Sequence, residues 1–161
     1  MKTEEYNKSV EDYADSIYRF IIKSIRDVEK AKDITQDAFE KLWINADMVP
    51  ATKSRSFLFT TAYHTMIDQL RREKRKVDFE TVNLQYYSHE DHYYGLQEVL
   101  HVALNRLPEI QRSVVLLRDY EGYSYEEISE ITGLNKSQVK VYIYRARVFL
   151  KNYIGSPETV I

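Results

Sequence analysis

The chain has no cysteine, which excludes a disulfide framework, a cysteine-based zinc site and a thiol nucleophile. That absence fits a reducing cytosol, and a cytoplasmic protein is expected. Only 4 glycines and 3 prolines punctuate 161 residues. Long stretches lack both, which favours helices over many short strands. No apolar run approaches the roughly 20 residues that span a bilayer, so no membrane insertion is expected. The segment Met1 to Glu11 is polar and charged, unlike a secretory signal peptide.

What is present suits one or two small globular domains, with 43% hydrophobic and 30% charged residues. The net charge of −2 argues against a protein that simply coats nucleic acid. Its distribution is more informative. Asp78, Glu80, Glu90, Asp91 and Glu98 make Val77 to Glu98 acidic, and Asp119, Glu121, Glu126, Glu127 and Glu130 do the same for Asp119 to Glu130. Lys136, Lys140, Arg145, Arg147 and Lys151 form a purely basic run, and a second basic cluster covers Asp68 to Lys76. Local basic surfaces in an acidic chain point to directed binding.

The hydrophobic periodicity predicts an all-α protein of two small helical domains, 1–76 and 96–161, joined by a flexible acidic linker, 77–95. In the first, helices are expected over Val10 to Ile25, Ile34 to Ala46 and Arg55 to Arg75. In the second they are expected over Leu96 to Asn105, Pro108 to Tyr120, Tyr125 to Thr132 and Lys136 to Tyr153. Asp33 with Gln36, Ser124 with Glu127, and Asn135 with Gln138 have capping-box spacing. Pro108 suits a first helical position, and Gly122 and Gly133 suit helix ends. Units of this size bury marginal cores, so one unit is expected to pack on the other or on a partner.

On the last helix Val139, Ile143, Ala146 and Leu150 share one stripe. Ser137, Lys140, Val141, Tyr144 and Arg145 oppose it, with Lys136 beside them. With the short Gly133-Leu134-Asn135 turn, Ser124 to Tyr153 reads as a helix-turn-helix whose second helix enters the major groove. Lys and Arg pair with phosphates or guanine edges, and Val touches a thymine methyl. Periodicity alone also fits an ordinary amphipathic helix with a solvated basic face.

On the third helix Phe59, Tyr63, Met66 and Leu70 form the apolar stripe. The other side carries Phe57, Thr61, His64, Thr65 and Asp68, then Arg71, Arg72 and Arg75. Aromatic and polar groups ahead of a run of arginines suit nucleic acid, although late basic residues also complement a helix dipole. On the second helix Asp33, Gln36, Asp37, Glu40 and Asp47 crowd the side opposite Ala38, Phe39 and Leu42, with Ile44 beside them. That surface suits a basic protein partner or is simply solvated.

Strings in three parts of the chain sharpen this reading. The string from Asp33 to Trp43 (DITQDAFEKLW) resembles the core-polymerase-binding segment of bacterial sigma factors. Phe57 to Arg72 (FLFTTAYHTMIDQLRR) resembles their promoter-melting helix. Leu107-Pro-Glu, Arg118 to Ser129 and Val139 to Arg147 resemble their C-terminal promoter-reading domain. The resemblance covers residues 7 to 154 and is closest to the extracytoplasmic-function (ECF) group of the sigma-70 family, which has two domains and no third between them. It implies a sigma factor that directs core RNA polymerase to promoters and is not an enzyme.

The resemblance also implies roles. Asp33, Gln36, Asp37, Glu40 and Ile44 would contact the β′ clamp helices of polymerase core, with the β flap as a further contact of the chain. Met48, Lys53, Phe57, Thr61, His64, Arg71, Arg72 and Arg75 would handle −10 DNA. Lys136, Ser137, Lys140, Val141, Tyr144 and Arg145 would read the −35 element. An anti-sigma factor, free or membrane-bound, is the remaining implied partner, and no cofactor or metal is implied. The chain departs from the family at His64 (often Asn), Val141 and Tyr142 (often Ser and Arg) and Phe57 (often Trp).

Two other readings compete. One is a stand-alone helix-turn-helix regulator, which would bind a palindrome as a dimer without polymerase. The other is an enzyme using a metal held by His89 and His92 with Glu90 and Asp91, which lacks a rigid scaffold.

Overall fold

The computed structural model describes residues 1–80 and 95–155, without the side chains of 77–80 and 96. The described residues form seven α-helices and no strand, as the hydrophobic periodicity predicts. The helices are α1 (Thr3–Ile25), α2 (Val28–Ile44), α3 (Ser54–Glu80), α4 (Leu96–Arg106), α5 (Glu109–Val115), α6 (Tyr125–Thr132) and α7 (Lys136–Ile154). A π-helical turn, Leu116–Tyr120, prolongs α5. The linker expectation and the His89 and His92 pair fall mostly on residues 81–94, outside the described residues; residues 77–80 belong to α3.

The helix starts obey local chemistry. Ser124 accepts a hydrogen bond from the Glu127 N–H while the Glu127 carboxylate accepts from the Ser124 N–H, at 3.1 and 3.0 Å. Asn135 and Gln138 close the same box at 2.8 and 3.0 Å. Each box satisfies N–H groups that a helix start leaves without partners. The pairing of Asp33 with Gln36 is different: both lie inside α2, whose cap is Asp27, accepting from the Lys30 N–H at 3.1 Å. The segment between (VEKAK) contains no helix breaker, so the helix begins at the earlier acidic cap. Pro108 is the N-cap of α5 rather than its first helical residue. α1 starts seven residues before the expected Val10, and α3 continues to Glu80 because no Gly or Pro stops it at Arg75.

Helices α1–α3 bury Ile17, Phe20, Ile21, Ile34, Leu42, Leu58, Phe59 and Met66 against one another. Helices α4–α7 and the π turn bury Leu104, Leu116, Leu117, Ile128, Val139, Ile143 and Ala146. These are not separate cores. They join into one cluster, so one unit does pack on the other.

The units meet where α6 packs on α3 and α4 on α1, with Arg26 paired to Glu98 at 3.7 Å, and the residues Tyr120 to Tyr123 make many of the side-chain contacts. The π turn ends with the Glu121 N–H donating to the Leu116 carbonyl at 3.1 Å, and the extra residue such a turn holds redirects the chain beyond it. Gly122 then takes φ +77°, where a Cβ would be strained. The result drives Tyr123 against Phe59, ring centres 5.1 Å apart and edge to face. Arg19 donates twice to the Glu121 carboxylate, at 3.0 and 2.7 Å. Arg55 donates to the Glu121 carbonyl at 2.8 Å and lies 4.1 Å over the Tyr123 ring. Lys23 sits 3.8 Å over the Tyr120 ring, and Arg112 donates to the Ser24 carbonyl at the end of α1.

This packing can be probed at two residues. Phe59 is wholly buried and touches both halves of the core. Phe59→Ala should lower the free energy of unfolding by about 3–5 kcal/mol in a urea titration, and a loss below 1 kcal/mol would contradict a shared core. His101 lies 3.9 Å from Glu98, but burial, then the charges of Arg26 and Lys23, hold its pKa below its ordinary value of 6.5. The folded chain therefore favours neutral imidazole. That stability is full above 6.5 and is lost as the pH falls from 6.5 through the lowered value. His101→Gln should flatten the stability–pH curve in that window.

Candidate nucleic-acid interface

Helix α7 turns its two faces to different tasks. Val139, Ile143 and Ala146 are buried, and Tyr142, Phe149 and Leu150 pack at the edge of the core. Lys136, Ser137, Lys140, Val141, Tyr144 and Arg145 all face solvent. Tyr144 is 70% exposed and Val141 44%, high values for residues with no core to reach. Val148 continues their exposed stripe one turn on; its spacing from Val141 and Tyr144 is the signal that identifies it. The helix is tied to its unit at several points. Gly133 caps α6 at φ +79°, Ser129 donates to the Leu134 carbonyl, and Arg147 grips Asp119 with two hydrogen bonds, at 3.0 and 2.5 Å. Lys136 is partly committed to Glu126 at 3.2 Å. Lys140 and Arg145 lie at 5.8 and 6.0 Å from the rings of Tyr125 and Tyr142.

The first unit presents two distinct surfaces on α3. Met48, Lys53, Phe57 and Thr61 come together around an open cleft of about 330 Å³, completed by Val49, Pro50, Ser56 and Thr60. This is the lower end of small-ligand clefts. Met48 is 84% exposed at its mouth. His64 lies outside this cleft, one turn along α3, exposed and with its ring centre 5.2 Å from that of Tyr63. Arg71, Arg72 and Arg75 line a separate groove with Asp68 and Lys74. At about 1.5 Å per residue, some 20 Å separates the two surfaces. Lys74 joins this groove by helical spacing alone, one turn from Arg71.

The acidic face of α2 holds Asp33, Gln36, Glu40 and Ile44 in solvent, with Asp37 half-buried. It is less purely acidic than its sequence. Asp37 pairs with Lys41 at 2.9 Å and accepts from Thr65 at 3.4 Å. It also contains an apolar feature that the acidic pattern hides. Trp43 is half exposed and packs edge to face on Tyr6, ring centres 5.0 Å apart. The two line a broad groove with Glu40 and Ile44. Trp43 and Ile44 stand three and four residues after Glu40, the spacing of one helix face; Tyr6, on α1, has no local signal.

A helix-turn-helix with a free recognition face and a second, basic helix define a helical DNA-binding protein. Comparisons carry this further. Sigma-70 region 2 matches residues 9–76, and sigma-70 region 4 matches residues 97–150. The RNA polymerase sigma factor SigV of Bacillus subtilis is 33% identical over 140 residues, covering 85% of this chain and 83% of SigV. The sigma factor YlaC of the same organism is 32% identical over 161 residues, covering 91% and 92%. The ECF sigma factor SigM, also from Bacillus subtilis, is 26% identical, covering 86% and 88%. The fold matches that of the sigma factor RpoE crystallised with the anti-sigma factor NepR from Bartonella quintana. The TM-score is 0.81 at 24% identity, covering 96% of this chain and 99% of RpoE. The chain belongs to the sigma-70 family of RNA polymerase sigma factors, in the ECF group, and it directs polymerase to promoters. Among the described residues no helix is long and apolar enough to cross a membrane.

Proposed function

We propose that residues 1–76 dock on polymerase core and open −10 DNA, that 96–161 reads the −35 element, and that 77–95 links them. The observation that carries this reading is that the three groups of family-matched residues share no surface: one lies on α7, one on α2, and one on the cleft and basic groove of α3, each open to solvent in large part. None of the three is consumed by the packing of one unit on the other.

In this reading Lys140, Val141, Tyr144 and Arg145 meet base edges, while Lys136 and Ser137 meet the backbone. The cleft of Met48, Lys53, Phe57 and Thr61 receives an unstacked base of the opened strand, since apolar walls and an aromatic ring are what an unstacked base needs. His64 touches the same strand beyond it. Arg71, Arg72 and Arg75 hold phosphates. Asp33, Gln36, Asp37, Glu40 and Ile44, joined by Trp43, meet the β′ clamp helices, and the second unit meets the β flap. An anti-sigma factor is proposed as a further partner, because the sigma factor of matching fold was crystallised with one. The chain acts in the cytoplasm and has no catalytic chemistry of its own.

The reading is tested by transcription from a promoter library with purified core polymerase. Lys140→Ala or Arg145→Ala should each weaken promoter use by about 1–3 kcal/mol, because each removes a base contact. Unchanged output from both variants rules out this face of α7. Reversing the charges of Asp33, Asp37 and Glu40 to Lys should reduce capture of core polymerase at unchanged helix content. Undiminished capture would assign the acidic face another role.

A further inference from the structure

Sulfur is scarce in this chain and unevenly exposed. There is no cysteine, and there are 3 methionines. Met66 is 1% exposed, inside the core. Met1 is half-buried and packs against that core. Met48 alone of the three stands in water, at 84% exposure. Without a thiol, an exposed thioether is the group of this chain most open to oxidation.

The backbone fixes where this sulfur stands. The N–H groups of Met48 and Val49 both donate to the Asn45 carbonyl, at 2.9 and 3.1 Å. Val49 joins the core at 9% exposure, while its neighbour Met48 is left outside. Pro50 locks the next φ, and its carbonyl accepts from the Lys53 N–H at 2.9 Å. Met48 is thereby kept at the mouth of the cleft of about 330 Å³ that Val49, Pro50 and Phe57 wall. So exposed a residue adds little to folding. A polarisable thioether does pack well on flat aromatic faces, which suits the rim of a cleft for an unstacked base.

We propose that Met48 is a site of reversible oxidation by peroxide, and that its sulfoxide withholds the cleft from an unstacked base. The proposal rests on the reading of that cleft given above. In the step, a sulfur lone pair attacks one oxygen of hydrogen peroxide and the O–O bond breaks. One oxygen stays on sulfur and the other leaves with both protons as water. Sulfur loses two electrons and the peroxide gains them. A thiol-dependent methionine sulfoxide reductase reverses the change: two thiols become a disulfide and the oxygen leaves as water. The sulfoxide is polar where the thioether was apolar. A base entering past it must strip water from the new oxygen, and the walls of Val49, Pro50 and Phe57 give nothing in exchange. Lys53 is the charged group of the lining, and turned to the sulfoxide it is lost to DNA. The surfaces on α2 and α7 are left as they were.

The full chain is treated with hydrogen peroxide, the excess is destroyed with catalase, and the chain is added to untreated core polymerase. Peptide mass spectrometry should find one added oxygen on Met48 well before Met66. Promoter output should then fall roughly tenfold, the scale of burying a polar group without a partner, at unchanged capture of core. Methionine sulfoxide reductase should restore it. Each chain is compared with itself before treatment, so that the basal level of a variant does not enter. In Met48→Leu, which has no sulfur at this position, the ratio of treated to untreated output should stay near one. Promoter DNA bound in the open complex should slow oxidation of Met48. Oxidation of Met66 as fast as Met48, equal output before and after oxidation of Met48, or an equal loss in Met48→Leu overturns the proposal and leaves the promoter reading intact. Oxidation of Met48 at one rate with and without promoter DNA removes it from the DNA path and also overturns it. A chain that drives no transcription before treatment sinks the promoter reading, and the proposal with it.

Discussion

The contact of Tyr123 with Phe59 is the point on which the rest of the structure turns. Phe59 lies on the stripe of α3 that closes the three-helix core, alongside Tyr63 and Met66. Its ring meets Phe20 on one side, with centres 5.8 Å apart, and Tyr123 on the other. The apolar face of the first unit is thus completed by a residue of the second. Units this small bury too little surface to be generously stable alone, and the shared cluster relieves both. The arrangement requires four residues to leave the line of α5. A π turn, a glycine at positive φ and a carboxylate held by arginine make that departure.

The halves meet along α1 and α3, and this leaves the outer faces of α7 and α2 free. α7 commits Val139, Ile143 and Ala146 to its own unit and keeps the opposite side in water. The tie between Arg147 and Asp119 fixes the helix from its flank, leaving Val141 and Tyr144 unconstrained by packing. On α2 the same division leaves Trp43 and Ile44 outside, at 53% and 77% exposure. Large apolar groups kept in water serve no folding purpose, and a surface that holds them beside carboxylates has the mixed character of a protein interface.

Much of this was legible in the chain because it is governed locally. Helical stripes repeat every three or four residues, so the buried and exposed faces of α7 and α3 can be assigned from the alphabet alone. The boxes at Ser124 and Asn135 are three-residue signals and sit at the helix starts. Asp33 and Gln36 have the same spacing and fail, because capping requires that the chain before the cap be non-helical, and Val28 to Lys32 is good helix material. The seam was not legible. Arg19 and Glu121 are 102 positions apart, and nothing periodic connects them. The acidic run around Glu121 reads as a solvated surface until the fold brings α1 and α3 over it. Tyr6 and Trp43 were hidden for the same reason, since their groove exists only where α1 lies against α2.

Charge contributes less to the proposed interfaces than the sequence suggests. Lys136 is shared with Glu126, and Asp37 with Lys41. Pairs this exposed are worth little to folding, but they must loosen before either partner can serve a second one. The groups with nothing to give up are Val141, Tyr144, Met48, Trp43 and Ile44, all apolar or nearly so and all in solvent. Discrimination in the proposed reading therefore falls on shape and desolvation at a few apolar points, with arginine and lysine supplying salt-dependent attraction around them. Each face alone is then a weak reader. Two weak readers on one chain become selective when both sites engage together, because the second contact is intramolecular.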